Sequence, residues 1–448
     1  MNLRTAPPIE RLTIPVQRFM HNEVSAGMML LIAAIAALAL ANSPLKDAFA
    51  RMWETHLIIG LSDFHYDMSI HHWINDGLMA VFFFVIGLEI KRALVLGELA
   101  SVRRAALPIA AALGGMIVPA TIYLILNPSG EAARGWGVPM ATDIAFSLGV
   151  LALLGSRAPL SLKVFLTAFA VVDDIGAIMV IAIFFTDTIN WMSLAVGVGM
   201  LLFIVALNSI GVRNTLVYAL LSVVIWVSFF ESGIHATVSG VLIAMTIPMT
   251  VRMNSADFVA RGRRLLVIFE RDAPEALRRG DFALTTVQQR GALQELEEAS
   301  KEVESPLQRL EHLLHPWVAF VIMPVFAFAN AGVTLDGDIG MAFSSPLTIG
   351  IILGLLIGKP LGIVLFAWIA VKAGLAALPH YVSWVQITGV GLLGGIGFTM
   401  AIFISSLAFS DAGLVTQSKL AIFVASIMTG ILGYVFLRFT RQIESRLE

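Results

Sequence analysis

Two adjacent aspartates, Asp173 and Asp174, stand in the middle of residues 166–185, a run otherwise almost wholly apolar. Twenty such residues are enough to cross a bilayer as a helix. A carboxylate at the centre of a spanning helix costs about 3 kcal/mol on the translocon scale. Two side by side point to work with protons or cations. Neighbouring helix positions point about 100° apart, so the two carboxylates cannot share one partner. One can face a water-filled cavity while the other faces a neighbouring helix. A carboxylate in that setting can trade a proton for Na⁺.

Three more polar residues lie deep in apolar sequence. Asp143 follows Thr142 in a stretch of Pro139 and glycines. It reads as a cation ligand, as compensator of a half-helix N-terminus, or as a plain N-cap. Thr142 adds an uncharged oxygen. Lys359 is the only lysine or arginine deep within a span, in Leu355-Leu-Ile-Gly-Lys-Pro-Leu-Gly-Ile363. Unpaired, it would be very costly there, so it should meet an intramembrane aspartate or the carbonyls of a half-helix C-terminus. Pro360 should kink its span.

Further titratable groups fall nearer the span ends. Glu89 and Arg92 are spaced i, i+3, which fits a surface pair. Glu311, His312 and His315 cluster where a charged segment meets a span, and such histidines titrate near neutrality. His235, at the start of another span, reads as a satisfied interfacial histidine. Asp76 reads as a helix-start residue.

The elements that position these residues follow from composition. Of 448 residues, 58% are hydrophobic and only 13% charged, with mean hydropathy +0.86. A soluble chain would carry about a quarter charged residues. The reading is an all-α polytopic membrane protein. The chain has no cysteine, which excludes disulfides and thiolate metal sites. P-loops, Rossmann fingerprints and spaced His metal motifs are absent, and no cofactor or nucleic-acid partner is expected.

Apolar windows place about twelve spans near 24–42, 77–96, 106–126, 138–154, 162–186, 192–209, 215–230, 234–250, 315–332, 346–370, 384–408 and 417–438. The first follows Arg4, Arg11 and Arg18 and ends in Ala39-Leu40-Ala41, which looks like a signal-peptidase site. Its length favours an uncleaved span. With the N-terminus inside, nearly all basic loop residues fall on the cytoplasmic side, and only Lys46, Arg51 and Arg134 on the periplasmic side. An even count with both termini cytoplasmic follows.

The domain reading is a cytoplasmic N-terminus at 1–23, spans one to eight at 24–250, a cytoplasmic insertion at 251–314, spans nine to twelve at 315–438, and a tail at 439–448. Within the periplasmic segment 43–76, Glu54–Leu61 and Phe64–Ile70 have strand-like composition and suggest a hairpin. In the insertion, Ser305-Pro306-Leu307-Gln308 predicts a capping box and a short helix. The fourth and eleventh spans are Gly-interrupted, and Thr142-Asp-Ile-Ala-Phe146 is echoed weakly by Thr399-Met-Ala-Ile-Phe403. Paired broken spans suggest an inverted repeat with a site at the breaks.

Along nearly its whole length the chain resembles the NhaA family of bacterial Na⁺/H⁺ antiporters, which is among the inverted-repeat transporters. The resemblance rests on Trp73-Ile-Asn-Asp-Gly77, Gly87-Leu-Glu-Ile-Lys-Arg92, Gly114-Gly-Met-Ile-Val-Pro119, Ala141-Thr-Asp-Ile-Ala-Phe146, Asp173-Asp-Ile-Gly176, Ser232-Gly-Ile-His-Ala-Thr237, Leu310-Glu-His-Leu-Leu-His315, Ile357-Gly-Lys-Pro-Leu-Gly362 and Gly395-Ile-Gly-Phe-Thr399.

The resemblance implies twelve helices, with the fourth and eleventh unwound and crossing at mid-membrane. It implies Asp174 as the primary carboxylate for Na⁺ and H⁺, and Asp173 paired with Lys359 in the empty site. Asp143 and Thr142 would sit at the crossing, and Glu89, Arg92, Glu311 and His312 in a cytoplasmic pH-sensing funnel. A homodimer would form through residues 43–70. Exchange in the bacterial inner membrane would be electrogenic, expelling Na⁺ or Li⁺ against entering protons.

Two departures stand out. Ala93 occupies a position where some relatives have glutamate, and the stretch before Leu307 is longer than the family loop. Both bear on pH response. The residues alone leave two other readings: a Na⁺-coupled symporter of the same fold, and an intramembrane aspartyl protease using Asp143 and Asp174. The protease would need facing aspartates that share a proton, and the chain has no Gly-x-Gly-Asp segment.

Overall fold

A chain this apolar must satisfy its own backbone within each segment, and helices do so locally. The computed structural model describes residues 23–440 except 62–63, 187, 213–214, 252, 272–286, 335–338 and 380. The expected N-terminal segment 1–22, Arg213 and the tail 441–448 lie outside the described residues.

The long helices are α1 (Glu23–Ala41), α2 (Lys46–Glu54), α3 (Met79–Val95), α4 (Val102–Leu126), α5 (Ile144–Ala152), α6 (Leu160–Phe184), α7 (Trp191–Ile210), α8 (Thr215–Ser232), α9 (Ala236–Thr246), α10 (Ser255–Arg271), α11 (Val287–Val303), α12 (Pro306–Asn330), α13 (Pro346–Lys372), α14 (Trp384–Gly394), α15 (Phe398–Ala408) and α16 (Ala412–Phe439). Among the described residues, seven helices are long and apolar enough to cross a membrane. Two bent pairs raise the number to nine: Gly130–Met140 with α5, at 41°, and α14 with α15, at 47°. The chain is a multi-pass membrane protein. α8 and α9 are apolar but shorter.

Local sequence explains the boundaries. Asn190 caps α7 by accepting hydrogen bonds from the backbone N–H groups of Met192 and Ser193. Gly211, at φ 86°, ends the same helix in the left-handed region that glycine enters freely. Ser305 and Gln308 form the expected capping box. The helix they start is not short. It runs from Pro306 to Asn330, and a π-type turn at Val318–Ile322 follows Pro316. In that turn the Met323 N–H reaches back to the Val318 carbonyl, directly before Pro324, which has no N–H to continue the ladder.

Strands β1 (His56–Leu61) and β2 (Phe64–Ser69) pair antiparallel, with His56 opposite Ser69. The expected hairpin is present, one to two residues shorter at its ends. The rest of the expected loop holds α2.

The closest helix packing is between α4 and α13. A methyl group on Gly114 would run into the Gly362 carbonyl, and one on Gly362 into the Gly114 carbonyl. Small residues let two backbones meet in lipid, where dispersion rather than water exclusion drives association. Glycines 354 and 358 press likewise on Pro139 and Pro119. α13 passes through a π-type turn at Gly354–Gly358, directly before Lys359. The irregularity around Pro360 therefore precedes the proline. This packing fixes Lys359 against α4 and the first break.

Candidate functional site

The two breaks meet. In each, a helix ends and another begins after three residues, 141–143 and 395–397. A backbone opened at this depth must find partners or forfeit several kcal/mol per group. Asp143 N–H donates to the Ile396 carbonyl at 2.7 Å. The Thr142 hydroxyl donates to the Gly394 carbonyl at 2.9 Å, and Ser147 to Leu393 at 2.9 Å. The carbonyls left open at the end of α14 are thus covered from the other break.

Asp143 serves both restarts. Its Oδ1 accepts from Phe146 N–H at 2.9 Å and caps α5. Its Oδ2 accepts from Thr399 N–H at 3.2 Å, in the first turn of α15, and from the Thr399 hydroxyl. One negative charge therefore faces two helix N-termini, each carrying about half a positive charge. The cap and the compensator are one arrangement. With both oxygens engaged, Asp143 is not half of a proton-sharing dyad. Thr399 was missed as a site residue, although its echo of Thr142 was a signal.

Lys359 is wholly buried and its ammonium lies 2.8 Å from Asp173 Oδ2. It also donates to the Met140 carbonyl, at the end of the 3₁₀ segment Arg134–Met140. Both partners expected for this lysine are present: an aspartate and the C-terminus of a half-helix. Thr142 stands beside Asp173, but its hydroxyl proton goes to Gly394. Among the described residues, Asp173 Oδ1 is left buried without a hydrogen-bond partner.

Asp174 is 3% exposed. It makes no hydrogen bond or ion pair with any described residue. The divergence of adjacent helix positions is realised: Asp173 turns to Lys359 and Asp174 does not. Asp173, Asp143 and Glu89 are all within Coulombic reach of Asp174.

The other candidates divide between the two ends of α3. At the far end, Arg92 pairs with Glu311, 3.2 Å away on α12, rather than with Glu89. Glu89 and His312 are within Coulombic reach of Glu311. Glu311 Oε2 is buried without a hydrogen-bond partner. His315 lies one turn further on the same helix.

At the near end, His235 precedes α9, and its Nδ1 is 3.9 Å from Asp76. Asp76 is not at a helix start. It lies within a π-type turn, Trp73–Leu78, and pairs with His72 at 3.0 Å. Burial lowers the pKa of His71, whereas the Asp76 hydrogen bond raises that of His72. His235, Arg92, Glu311, His312 and His315 are thus not part of the buried Asp–Asp–Lys cluster, whereas Glu89 is within Coulombic reach both of Asp174 and of the Arg92–Glu311 pair.

Broken spans that touch at buried charges define a class, the secondary transporters whose ion sites lie where helices unwind. The comparisons are specific. The profile of the family described as Na⁺/H⁺ antiporter 1 matches residues 17–437. A relative in Koribacter versatilis, called Na(+)/H(+) antiporter NhaA, is 49% identical over 432 residues, covering 96% of this chain and 93% of its own. Relatives of the same name in Oleidesulfovibrio alaskensis and Wolinella succinogenes are 48% and 45% identical, each over 96% of this chain and 95% and 94% of their own. The chain belongs to the Na⁺/H⁺ antiporter 1 family.

Proposed function

We propose that this family member exchanges Na⁺ for H⁺ by letting the two ions compete for Asp174. The observation that carries the reading is a buried carboxylate with no hydrogen-bond or ion-pair partner among the described residues, beside an Asp173–Lys359 pair that is closed. An arriving Na⁺ needs a full negative charge and several oxygens. Asp174 offers the charge, and Asp173 and Thr142 offer further oxygens once Lys359 lets go of Asp173. The proton on Asp174 must leave before Na⁺ is bound, and returns when Na⁺ has gone. More protons entering than Na⁺ or Li⁺ leaving makes the exchange electrogenic.

In this reading the two broken spans belong to a twelve-span inverted repeat and cross near mid-membrane, with Asp143 and Lys359 neutralising half-helix ends. The chain sits in the inner membrane with both termini cytoplasmic, the 251–314 insertion on the same side, and the β-hairpin periplasmic. A homodimer joins through residues 43–70. The Glu89, Arg92, Glu311 and His312 group, with His315, faces the cytoplasm and tunes the response to pH. His235 plays that part from the opposite end.

The test is the pH change that Na⁺ elicits in everted vesicles holding the full chain, scanned over pH and against K⁺. Release of protons by Na⁺ but not K⁺, lost in Asp174→Asn, is the expected result. Na⁺ movement that drags an organic anion, with no proton release, would point to symport instead.

A further inference from the structure

Two cavities outside the carboxylate site join end to end. One, of about 470 Å³, is a groove between α3, α8, α9 and α12, walled among others by Ala80, Val223, Trp226 and Ile243 and almost wholly apolar. The other, of about 440 Å³, lies where α11 meets the ends of α7, α9 and α12, and is walled by Glu298, Glu304 and Arg309 among others. Tyr218, Ile247 and Leu310 line both. Each volume falls in the range of ligand sites, about 300–1,000 Å³. Tyr218 holds the junction, its hydroxyl lying 2.5 Å from the Asn208 Oδ1 and 2.6 Å from the Val212 carbonyl, with its one proton shared between these two acceptors.

The composite shape is amphipathic. A dry slot runs between the helices, and a charged chamber closes it at their ends. The charges in that chamber are mixed. Lys301 is taken by Glu297, and Glu302 faces Arg261. Glu298, Glu304 and Arg309 have no ion-pair partner among the described residues. A free guanidinium and two free carboxylates complement a phosphate and a primary ammonium carried on one headgroup.

We propose that this composite cavity is a binding site for a zwitterionic, amine-bearing diacyl phospholipid. An acyl chain fills the groove beside Trp226, the phosphate meets Arg309, and the ammonium meets Glu298 and Glu304. α11 then has a use: it supplies part of the headgroup chamber, and the bound lipid ties the α10–α11 hairpin to the span bundle.

The experiment uses the purified full chain, stripped of lipid and exchanged into mixed vesicles of phosphatidylethanolamine, phosphatidylcholine and phosphatidylglycerol. Lipid retained after re-extraction is measured by native mass spectrometry. Phosphatidylethanolamine should be retained about tenfold over either competitor, because only it brings both an N–H donor cation and a phosphate. Arg309→Gln should cut retention about tenfold, and Ala219→Trp, which fills the groove, should abolish it. Both variants should keep Na⁺-dependent proton release, which shows that they fold. Arg309 is exposed, so that variant stands even where the tryptophan disturbs packing. Equal retention of phosphatidylglycerol would overturn the proposal, as would retention unchanged by Arg309→Gln. So would a groove filled by a second copy, seen as dimers that dissociate in Ala219→Trp while bound lipid stays constant.

Discussion

Asp143 and Asp174 are two buried carboxylates within one cluster, and they are treated in opposite ways. Asp143 is saturated. Its two oxygens accept from two backbone N–H groups and a hydroxyl, and it joins the breaks. Asp174 has no such partner among the described residues. A carboxylate whose hydrogen bonds are complete is part of the scaffold, because protonating it would unmake a helix start. One whose hydrogen bonds are not made is available to an ion. Asp173 lies between these cases, with one oxygen on Lys359 and the other orphaned.

The sharpest way to break this comparison is at Asp174. Asp174→Asn should abolish Na⁺-dependent proton release while leaving the melting temperature nearly unchanged, since no described contact is lost. The amide can neither titrate nor offer a full charge to Na⁺. Wild-type exchange by this variant in everted vesicles would remove Asp174 from the carrier role.

Lys359→Ala tests the intermediate case. Removing one partner of a buried ion pair typically costs about 3–5 kcal/mol, because the other charge stays buried and unpaired. Thermal unfolding in detergent should show the loss. The double variant with Asp173→Ala should recover part of it, since no unpaired charge then remains. Equal melting temperatures for wild type and Lys359→Ala would mean that the 2.8 Å pair contributes nothing.

Asp143→Asn tests the scaffold side. An amide retains one acceptor oxygen and must turn its NH₂ toward Phe146 N–H or toward Thr399. A lost hydrogen bond to a charged group is worth about 1.5–3 kcal/mol. Stability should therefore fall by about that much, a signature opposite to that of Asp174→Asn.

Much of this contrast was legible in the sequence. Charges inside apolar runs marked Asp143, Asp173, Asp174 and Lys359, because such residues survive only with partners or a task. The capping box at Ser305 and the hairpin at 56–69 followed from local chemistry. What sequence could not supply was pairing across the fold. Arg92 had Glu89 one turn away, yet its partner is Glu311, from a helix more than two hundred residues on. Thr399 showed only as a weak echo of Thr142, and its bond to Asp143 appears once the two breaks meet. The α12 helix was expected to be short because a charged segment met an apolar one. The structure runs the helix through Pro316 and on past a π-type turn at Val318–Ile322. The twelve-span reading draws on α8 and α9, which are apolar but short of the usual spanning length.

Competition at one carboxylate carries its own pH dependence. With one proton leaving per Na⁺ bound, apparent Na⁺ affinity should weaken about tenfold per pH unit below the carboxylate's pKa. The maximal rate should change much less than the half-saturating concentration. Isothermal titration across pH decides it. An affinity that stays flat through the activation range would shift control to a separate gate at the Arg92–Glu311 pair.

The smallest effect belongs to the near end, just before α3, where Asp76 holds His72. The hydrogen bond to Asp76 raises the His72 pKa above its ordinary 6.5. A group whose pKa is raised on folding contributes stability that is fully present below the unfolded value and is lost as pH rises through the folded value. Asp76→Asn should therefore destabilise the protein at about pH 5 and make little difference at about pH 9. His72 is half-exposed, so solvent screening keeps the effect to about 0.5 kcal/mol or less. His71 titrates with the opposite sign, because burial disfavours its charged form, and it is present in both proteins. Subtracting the two melting curves across pH gives the summed effect of Asp76 on His72, His71 and His235, and repeating the pair in a His72→Gln background removes the His72 share. A difference that grows with rising pH would reverse the sign and place the proton elsewhere.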